Sequence, residues 1–382
     1  MASNPGAAAA AAPRWGDPPW RIEVEVPAAP LPARVDVAVV GGGFTGLATA
    51  LACAERGASA HLFEAGALGA GASGRTGGVA LEGTAAGPLP GADACLEALT
   101  TLLARHAIDC DLELGGCWVV RHQPAADASA PRWPDDDAGW LVVDHTEPGG
   151  ALDPGKLAAG LARAAQRAGA VLHEHAPVEA LGPSLVRVCG REVAAERIVV
   201  ATNAFLPRLV PRAALRPALT YAIATAPLAP AALASVGLGA TPFYTADHPY
   251  LWGRATRAGR LVVGAGLAFD EEEQRVERIA IDRADVRAAL DRLVRRVRGL
   301  HSALAEIEIT HAWGGPIAFR PGAVPILAEL APGVLAAGAC AGHGVALSAA
   351  LAALAARWTL DGEPLPDWGR VDAEPTPIPS AR

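Results

Sequence analysis

The apolar positions of the chain change period several times, and each change marks an element. VDVAVV (35–40) is a nearly continuous apolar run closed by glycines, the pattern of a strand buried in a parallel sheet. From Thr45 to Arg56 the apolar positions Leu47, Ala50, Leu51 and Ala54 recur at helical spacing, and Gly57 ends the run. AHLFE (60–64) reads as the next strand, which makes a β-α-β unit. A second helical run, 154–168, precedes the strand-like AVLHEHAPV, and RIVVAT (197–202) is another short buried strand.

Between about 217 and 267 the pattern becomes β-rich, with TYAIATAPL, PYLWGRAT and RLVVGAGLAF broken by Pro and Gly as in an antiparallel sheet. Residues 271–304 are charged and helical, and VLAAGACAGHGVALSAALAALAARWTL predicts a strand, a glycine turn and a long helix. No repeat of 20–50 residues is visible. The order implies an α/β fold: a Rossmann-like dinucleotide domain from residues 33–85, 150–215 and 310–372, with an antiparallel-sheet substrate domain from 86–149 and 216–309. Residues 1–32, rich in Ala and Pro, read as a flexible tail whose later part runs extended along the body. Trp15 and Trp20 are either anchors for it or merely tolerated there, and 373–382 reads as a C-terminal tail.

Composition narrows the function. A net charge of −8 without a broad basic face argues against nucleic acid and anionic membrane as partners. Six scattered cysteines without C-x-x-C argue against a disulfide framework and a zinc site. No basic leader precedes the N-terminal alanine run, and no stretch of about 18 residues is apolar enough to span a bilayer, so the expected location is cytoplasmic. His173 and His175 in HEH would share one strand face, but no third metal ligand is evident. Lys156 is the only lysine.

Two segments contain G-x-G-x-x-G. In VVGGGFTG (39–46) the motif follows a strand and opens a helix, so Gly41, Gly43 and Gly46, with Phe44 and Thr45, are placed to bring a pyrophosphate to a helix N-terminus. Glu64, followed by Ala65, ends the second strand about 20 residues on, where a carboxylate binds a ribose. GAGASGRTGG (69–78) has neither strand before it nor helix after it. It reads as small-residue backbone running along a flat ligand, through Gly71, Gly74, Gly77 and Gly78, with Ser73, Arg75 and Thr76 as polar contacts and Arg75 able to neutralise pyrophosphate; the alternative is a flexible loop.

The run VAVVGGGFTGLATALACAERGASAHLFEAGALGAGASGRTGG resembles the opening of the FAD-dependent D-amino-acid oxidase superfamily, most of all its gamma-glutamylputrescine oxidase-like members, with glycine and sarcosine oxidases alongside. The resemblance continues through DPGKLAAGLARAAQRAGAVLHEHAPV, VVATNAFLP, LWGRATRAGRLVVGAG, GGPIAFRPGAVPIL and AAGACAGHGVAL, roughly residues 33–365. It implies FAD, with Val178 at the adenine half, and Thr202, Asn203 and Gly315 near the cofactor. It also implies that Gly338, Gly342, His343, Gly344 and Val345 cradle the flavin and ribityl chain. A glycine turn before a helix fits that role, since the helix dipole would stabilise reduced, anionic flavin.

The resemblance further implies an enzyme that oxidises the C–N bond of an amine or amino acid, passing a hydride to flavin and leaving an imine that water hydrolyses. The acceptor is O2, giving H2O2, or another carrier. Orientation can suffice for such chemistry, and no catalytic triad is evident in the sequence. Arg320 matches the carboxylate-binding arginine of glycine oxidase-like relatives; otherwise it is a structural ion pair or a loop residue. Tyr221, Tyr250 and Trp252 are pocket walls or core, and His343 contacts substrate or flavin or serves the turn. Val262 stands where sarcosine oxidase-like relatives carry an oxygen-activating lysine, and Ala346 where they bind carboxylate through another lysine. No cysteine lies near the Arg320 motif, so non-covalent FAD is expected. A flavin monooxygenase would need an Asp in the late glycine turn, which ACAGHG lacks; a non-catalytic FAD-binding subunit is the remaining alternative.

Overall fold

The computed structural model describes residues 15–124, 130–135, 138–210, 215–272 and 275–369. The expected tail segments 1–14 and 373–382 lie outside them. The first sheet has the order Ile326–Ala331, Val334–Gly338, Arg191–Val200, Arg34–Val40, Ala60–Phe63, Val171–His173. All of these pair in parallel except Ile326–Ala331, the antiparallel edge. Parallel pairing needs both faces covered. Helices Phe44–Glu55, Pro154–Arg167, Cys95–His106 and Gly344–Asp361 cover one face, packing Leu47, Leu51, Leu99, Leu157, Leu161 and Leu351 against Val37, Val39 and Leu62. The other face contributes Ala38, Val40, Ile198 and Val200 to a core shared with the second sheet.

That second sheet runs Ile309–Phe319, Arg216–Thr225, Leu261–Ala268, Trp252–Ala255, Phe243–Thr245, Cys117–Gln123, Trp140–Glu147, Arg132–Pro134. It differs from expectation in three ways. Phe243–Thr245 pairs in parallel with Cys117–Gln123, so the sheet is mixed. Ile309–Phe319, expected in the dinucleotide domain, pairs along the length of Arg216–Thr225. Helix Cys95–His106, expected with the substrate domain, packs instead on Gly344–Asp361, because Leu96, Leu99 and Leu103 form its apolar stripe.

Among its described residues, the charged run 271–304 forms α-helix over Ala284–Gly299, with single 3-10 turns at Val276–Arg278 and Ser302–Leu304. Before it, Val276 and Ile279 are buried in a short turn, and the Ile279 carbonyl accepts from Trp15 Nε1 at 2.7 Å, outside any helical ladder. Trp15 is therefore an anchor, and so is Trp20, whose Nε1 donates to Gly74 O at 2.8 Å. From Trp15 onward the stretch expected as a tail lies pinned on the body. Arg163 and Gln166 bind the carbonyls of Glu23 and Glu25, and Gly155 leaves room for the Arg21 carbonyl.

The HEH segment is split. His173 ends a strand, while His175 lies beyond it with φ +52°, so the two do not share a strand face. His173 Nε2 lies 3.0 Å from His61 Nδ1, stacked beside Phe63. Burial, with the neighbouring His173, pushes His61 down from 6.5 to about 4. The folded state thus binds fewer protons than the unfolded chain between those values, so stability falls as pH drops through that window. Thermal unfolding from pH 7 to 5 should show a falling Tm, and His61→Phe should flatten the dependence; an unchanged slope would refute the assignment.

Candidate active site

Beyond the C-terminal ends of parallel strands Arg34–Val40, Ala60–Phe63 and Val334–Gly338, where an α/β sheet binds its ligand, lie three glycine-rich turns. The first joins Arg34–Val40 to helix Phe44–Glu55. Gly41 has φ +107°, and a Cβ on Gly46 would lie 1.9 Å from the Gly41 carbonyl oxygen. Only glycine permits that approach of helix to turn. Glu64 accepts from Gly42 N at 2.6 Å and Gly66 N at 2.8 Å. Burial raises its pKa, and these N–H donors oppose the rise.

GAGASGRTGG is neither strand nor helix, and it completes the first turn. Gly43, the N-cap, has no side chain to offer; Ser73 Oγ takes that role, accepting from Phe44 N at 2.9 Å. Gly69 N donates to Gly42 O at 2.9 Å, and Gly74 N donates to Gly69 O at the same distance. These two bonds fold the segment back over the first turn.

Arg75 lines the cavity below, but its guanidinium donates to the carbonyls of Ala70, Gly16 and Gly314 and lies 5.6 Å over Trp15. It thereby also clamps the N-terminal segment. Gly77 admits the Trp252 ring, which a Cβ there would meet at 1.9 Å. Beneath it, buried Arg254 donates through Nε to Gly77 O, and burial pushes it down to about 10. Sequence reasoning missed Arg254, although an arginine inside LWGRAT, beside an expected pocket wall, was a usable signal.

The third turn, Gly338–Gly344, places Gly338, Ala339, Ala341 and Gly342 at positive φ. Asn203 Oδ1 accepts from Ala339 N at 2.9 Å, joining this turn to the end of Arg191–Val200. Thr202 Oγ1 and His343 Nδ1 are buried without a hydrogen-bond partner among the described residues. Burial holds His343 below the usual imidazole range.

These turns form the floor of a cavity of about 1020 Å³, roofed by the second sheet. Gly43, Phe44, Thr45, Ser73, Arg75, Thr76, Gly77, Asn203, Gly315, Gly338, Gly342, Gly344 and Val345 line it, as do Tyr221, Tyr250 and Trp252. Gly41, Gly46, Glu64, Ala65, Gly71, Gly74, Gly78, Val178, Thr202 and His343 are not in its wall. Arg320 is not in the wall either: its Nη1 donates to Pro325 O at 2.9 Å, because the Pro321–Ala323 turn bends the chain back toward it. Val262, where an oxygen-activating lysine was sought, is buried in an apolar cluster with Trp20 and Trp313, and Lys156 pairs with Asp111 at 2.8 Å. Ala346 is buried within its helix.

Sequence reasoning also missed a charged network in the wall. Asp135, 2% exposed, accepts from Arg296 Nε and Nη2, each at 2.6 Å, and lies 2.8 Å from His122 Nε2. His122 Nδ1 lies 2.6 Å from Asp247, and Arg296 also binds the carbonyls of Pro249 and Tyr250.

The floor suits a dinucleotide with a flat ring. The helix starting at Phe44 offers its N-terminal dipole, Gly43 keeps the approach clear, and Gly338, Gly342 and Gly344 leave the late turn open to the cavity. Comparison with known families decides which: residues 36–358 match the FAD dependent oxidoreductase family. The chain belongs to that family. This FAD-dependent oxidoreductase is 28% identical over 369 residues to a probable oxidoreductase, OrdL, of Rhizobium meliloti (strain 1021), covering 84% of this chain and 82% of that one. It is 27% identical over 357 residues to the gamma-glutamylputrescine oxidoreductase of Escherichia coli (strain K12), covering 81% and 80%. In fold it is similar to glycine oxidase from Geobacillus kaustophilus, with TM-score 0.69, 22% identity and coverage of 88% and 97%. It is also similar to L-amino acid deaminase from Proteus vulgaris, with TM-score 0.71, 17% identity and coverage of 91% and 99%. Among the described residues of this oxidoreductase, no helix is long and apolar enough to cross a membrane.

Proposed function

We propose that the chain oxidises the C–N bond of a small amine or amino acid to an imine, which water then hydrolyses to a carbonyl compound and an amine or ammonia. The observation that carries this reading is the continuity of one cavity from the glycine turns of the floor to the aromatic roof of Tyr221, Tyr244, Tyr250 and Trp252. FAD, when bound, supplies the two-electron acceptor. Gly43 and Phe44 at the helix start would face its pyrophosphate, Glu64 the ribose, and the Gly338–Gly344 turn the flavin. The N-terminus of helix Gly344–Asp361, which begins in that turn, would favour negative charge on a ring held there.

The apolar roof orients the substrate and excludes water. Desolvation there disfavours an ammonium and favours the neutral amine that reacts. Asp135 is committed to Arg296 and His122, so alignment rather than a dedicated base carries the reaction in this reading. Cys340 lines the floor, and burial pushes its thiol up to about 12. It stays protonated and un-nucleophilic, which supports non-covalent FAD.

The acceptor in this reading is O2, yielding hydrogen peroxide. Val262 in its apolar cluster favours the second reading, a dehydrogenase with another acceptor. The purified protein should show flavin absorbance, released by acid precipitation if the FAD is non-covalent. Anaerobic addition of an amine and amino-acid panel should bleach it with one class. Air then discriminates: rapid return of colour with peroxide marks an oxidase, slow return a dehydrogenase. A flavin that no amine reduces overturns the reading in favour of a non-catalytic FAD-binding subunit.

A further inference from the structure

The segment 69–78 lies between two partners. On one side Ser73, Arg75, Thr76 and Gly77 line the cavity. On the other runs the N-terminal stretch 15–26, no residue of which is in the cavity wall. Ile22 packs against Gly69 and Gly74, where an added Cβ would meet its Cδ1 at 2.4 and 2.8 Å. Trp20 Nε1 donates to Gly74 O at 2.8 Å, and Gly16 O accepts from Arg75 Nη1 at 2.6 Å. Five of the ten residues 69–78 are glycines, and the segment is neither helix nor strand, so much of its order is imposed from these two sides.

The N-terminal stretch also ties this floor to the roof. Trp15 O accepts from Gly314 N at 2.7 Å, and Trp15 Nε1 donates to Ile279 O at 2.7 Å. Floor and roof bond directly here too: Trp313 Nε1 to Arg75 O at 2.9 Å, Arg75 Nη1 to Gly314 O at 3.2 Å, and Arg254 Nε to Gly77 O. Both roof side chains that donate in those bonds rest on Trp20. Its ring meets Trp313 edge-on at 5.5 Å and lies 5.9 Å from the Arg254 guanidinium. Trp20 is thus the common neighbour of Gly74, Trp313 and Arg254. The stretch that carries it is nevertheless extended and forms no strand. Beyond Trp20 it is held by half-buried Ile22, Val24 and Val26 and by the bonds from Arg163 and Gln166 to the carbonyls of Glu23 and Glu25. So few contacts let it lift as a unit while both sheets stay folded.

We propose that residues 15–26 are a strap whose lifting gates the exchange of FAD, with Trp20 as the positioning residue that sets its hold. Bound FAD orders segment 69–78 from the cavity side and the strap orders it from behind. Each therefore strengthens the other, although no strap residue reaches the cavity wall. Lifting the strap frees Gly74 and Arg75 and removes the support of Trp313 and Arg254 in one step. This gating needs only that the floor hold FAD, not that an amine be oxidised.

The test follows the cofactor and the strap rather than turnover. The full-length parent and its variants are loaded with FAD and diluted, and the fluorescence of released flavin is recorded. Trp20→Phe keeps an aromatic ring and loses one N–H bond, so it should release FAD about fivefold faster. Trp20→Ala, which also removes the ring, should release it faster still. Trp133→Phe is the control. It loses a bond of the same kind, Nε1 to Val236 O at 2.6 Å, from the far edge strand of the second sheet and outside the cavity wall. It should lower Tm as Trp20→Phe does, yet release FAD at the parental rate. Limited trypsin digestion reads the strap itself. The Arg21 side chain is exposed, but its carbonyl is pressed against Gly155, where a Cβ would meet it at 2.2 Å, so the protease reaches the Arg21–Ile22 bond only when the strap lifts. In the full chain depleted of FAD, that bond should be cut before any bond C-terminal to it, and FAD should slow the cut about tenfold. Parental FAD release from Trp20→Phe, equal acceleration in Trp133→Phe, or cleavage after Arg21 that FAD does not slow overturns the strap. If Trp20→Ala does not fold, Trp20→Phe and the digestion of the unaltered chain still decide. Failure of every amine to reduce the flavin would sink the proposed reaction and leave these readouts as they are.

Discussion

Gly46→Ala should abolish the flavin site by displacing the backbone that forms it. The added Cβ falls 1.9 Å from the Gly41 carbonyl oxygen, a backbone atom that cannot rotate away. Gly41 itself holds φ +107° and donates to Phe63 O, so the turn has little room to yield. Such overpacking costs about 3 kcal/mol, which for a chain of this length lowers Tm by roughly 4 °C. The helix start must shift from Ser73, and with it the N–H groups aimed into the cavity. The variant should therefore purify without flavin absorbance and fail to take up added FAD. Gly43→Ala makes the useful contrast. Its Cβ meets only the Ser73 side chain, its hydroxyl at 2.8 Å, a group that can turn away. That variant should keep its Tm closer to the parent and lose FAD affinity, because the methyl fills the cradle. Normal flavin content in Gly46→Ala would show that the first turn is packing alone.

The first turn was the most legible part of the chain because its chemistry is local. A strand, three glycines and a helix in 20 residues specify one conformation, and Glu64 follows from the strand length. The late turn was legible for the same reason. GAGASGRTGG was harder: its small residues announced a close approach, but not whether ligand or protein would approach. Protein takes up one side of it, with Arg75, Gly74 and Gly77 held by Trp15, Trp20, Trp252 and Arg254, while Ser73, Arg75, Thr76 and Gly77 also line the cavity. Two tryptophans in an Ala/Pro-rich segment were the only trace of that arrangement, and burial cannot be read from identity alone.

The second sheet was legible as strands but not as pairings. Ile309–Phe319 bonds to Arg216–Thr225, far earlier in the chain, and such long-range register leaves no local mark. Arg320 shows the corresponding limit for the site. Its motif left it as a carboxylate clamp, a structural ion pair or a loop residue, and in the fold its Nη1 donates to Pro325 O across a Pro-Gly turn. The arginines of helix 284–299 read only as part of a charged, helical run. Which of them faces the cavity depends on where Val286, Leu290, Leu293 and Val297 pack.

Those same contacts make the Asp135–Arg296 pair the most consequential interaction in the roof. It joins three pieces of chain: the short strand Arg132–Pro134, the helix 284–299, and the rim loop through the carbonyls of Pro249 and Tyr250. Asp135 is 2% exposed, so Asp135→Ala leaves the Arg296 guanidinium facing a site from which water is largely excluded. Breaking one half of a buried pair costs about 3–5 kcal/mol, more than removing both halves. Chemical denaturation should thus rank the parent as most stable, then Asp135→Leu with Arg296→Leu, then Asp135→Ala alone. If the single variant is no less stable than the double, the pair carries no net charge coupling. Function separates the two roles of Arg296. In the double variant the pair no longer needs balancing, but Pro249 and Tyr250 have lost their tether, so the rim that holds Tyr250 over the cavity should loosen. KM should then rise while kcat stays close to the parent, because the floor that positions flavin and reacting carbon is untouched. A fall in kcat at constant KM would place Asp135 and Arg296 in the reaction itself, and the substrate would have to be sought beside them.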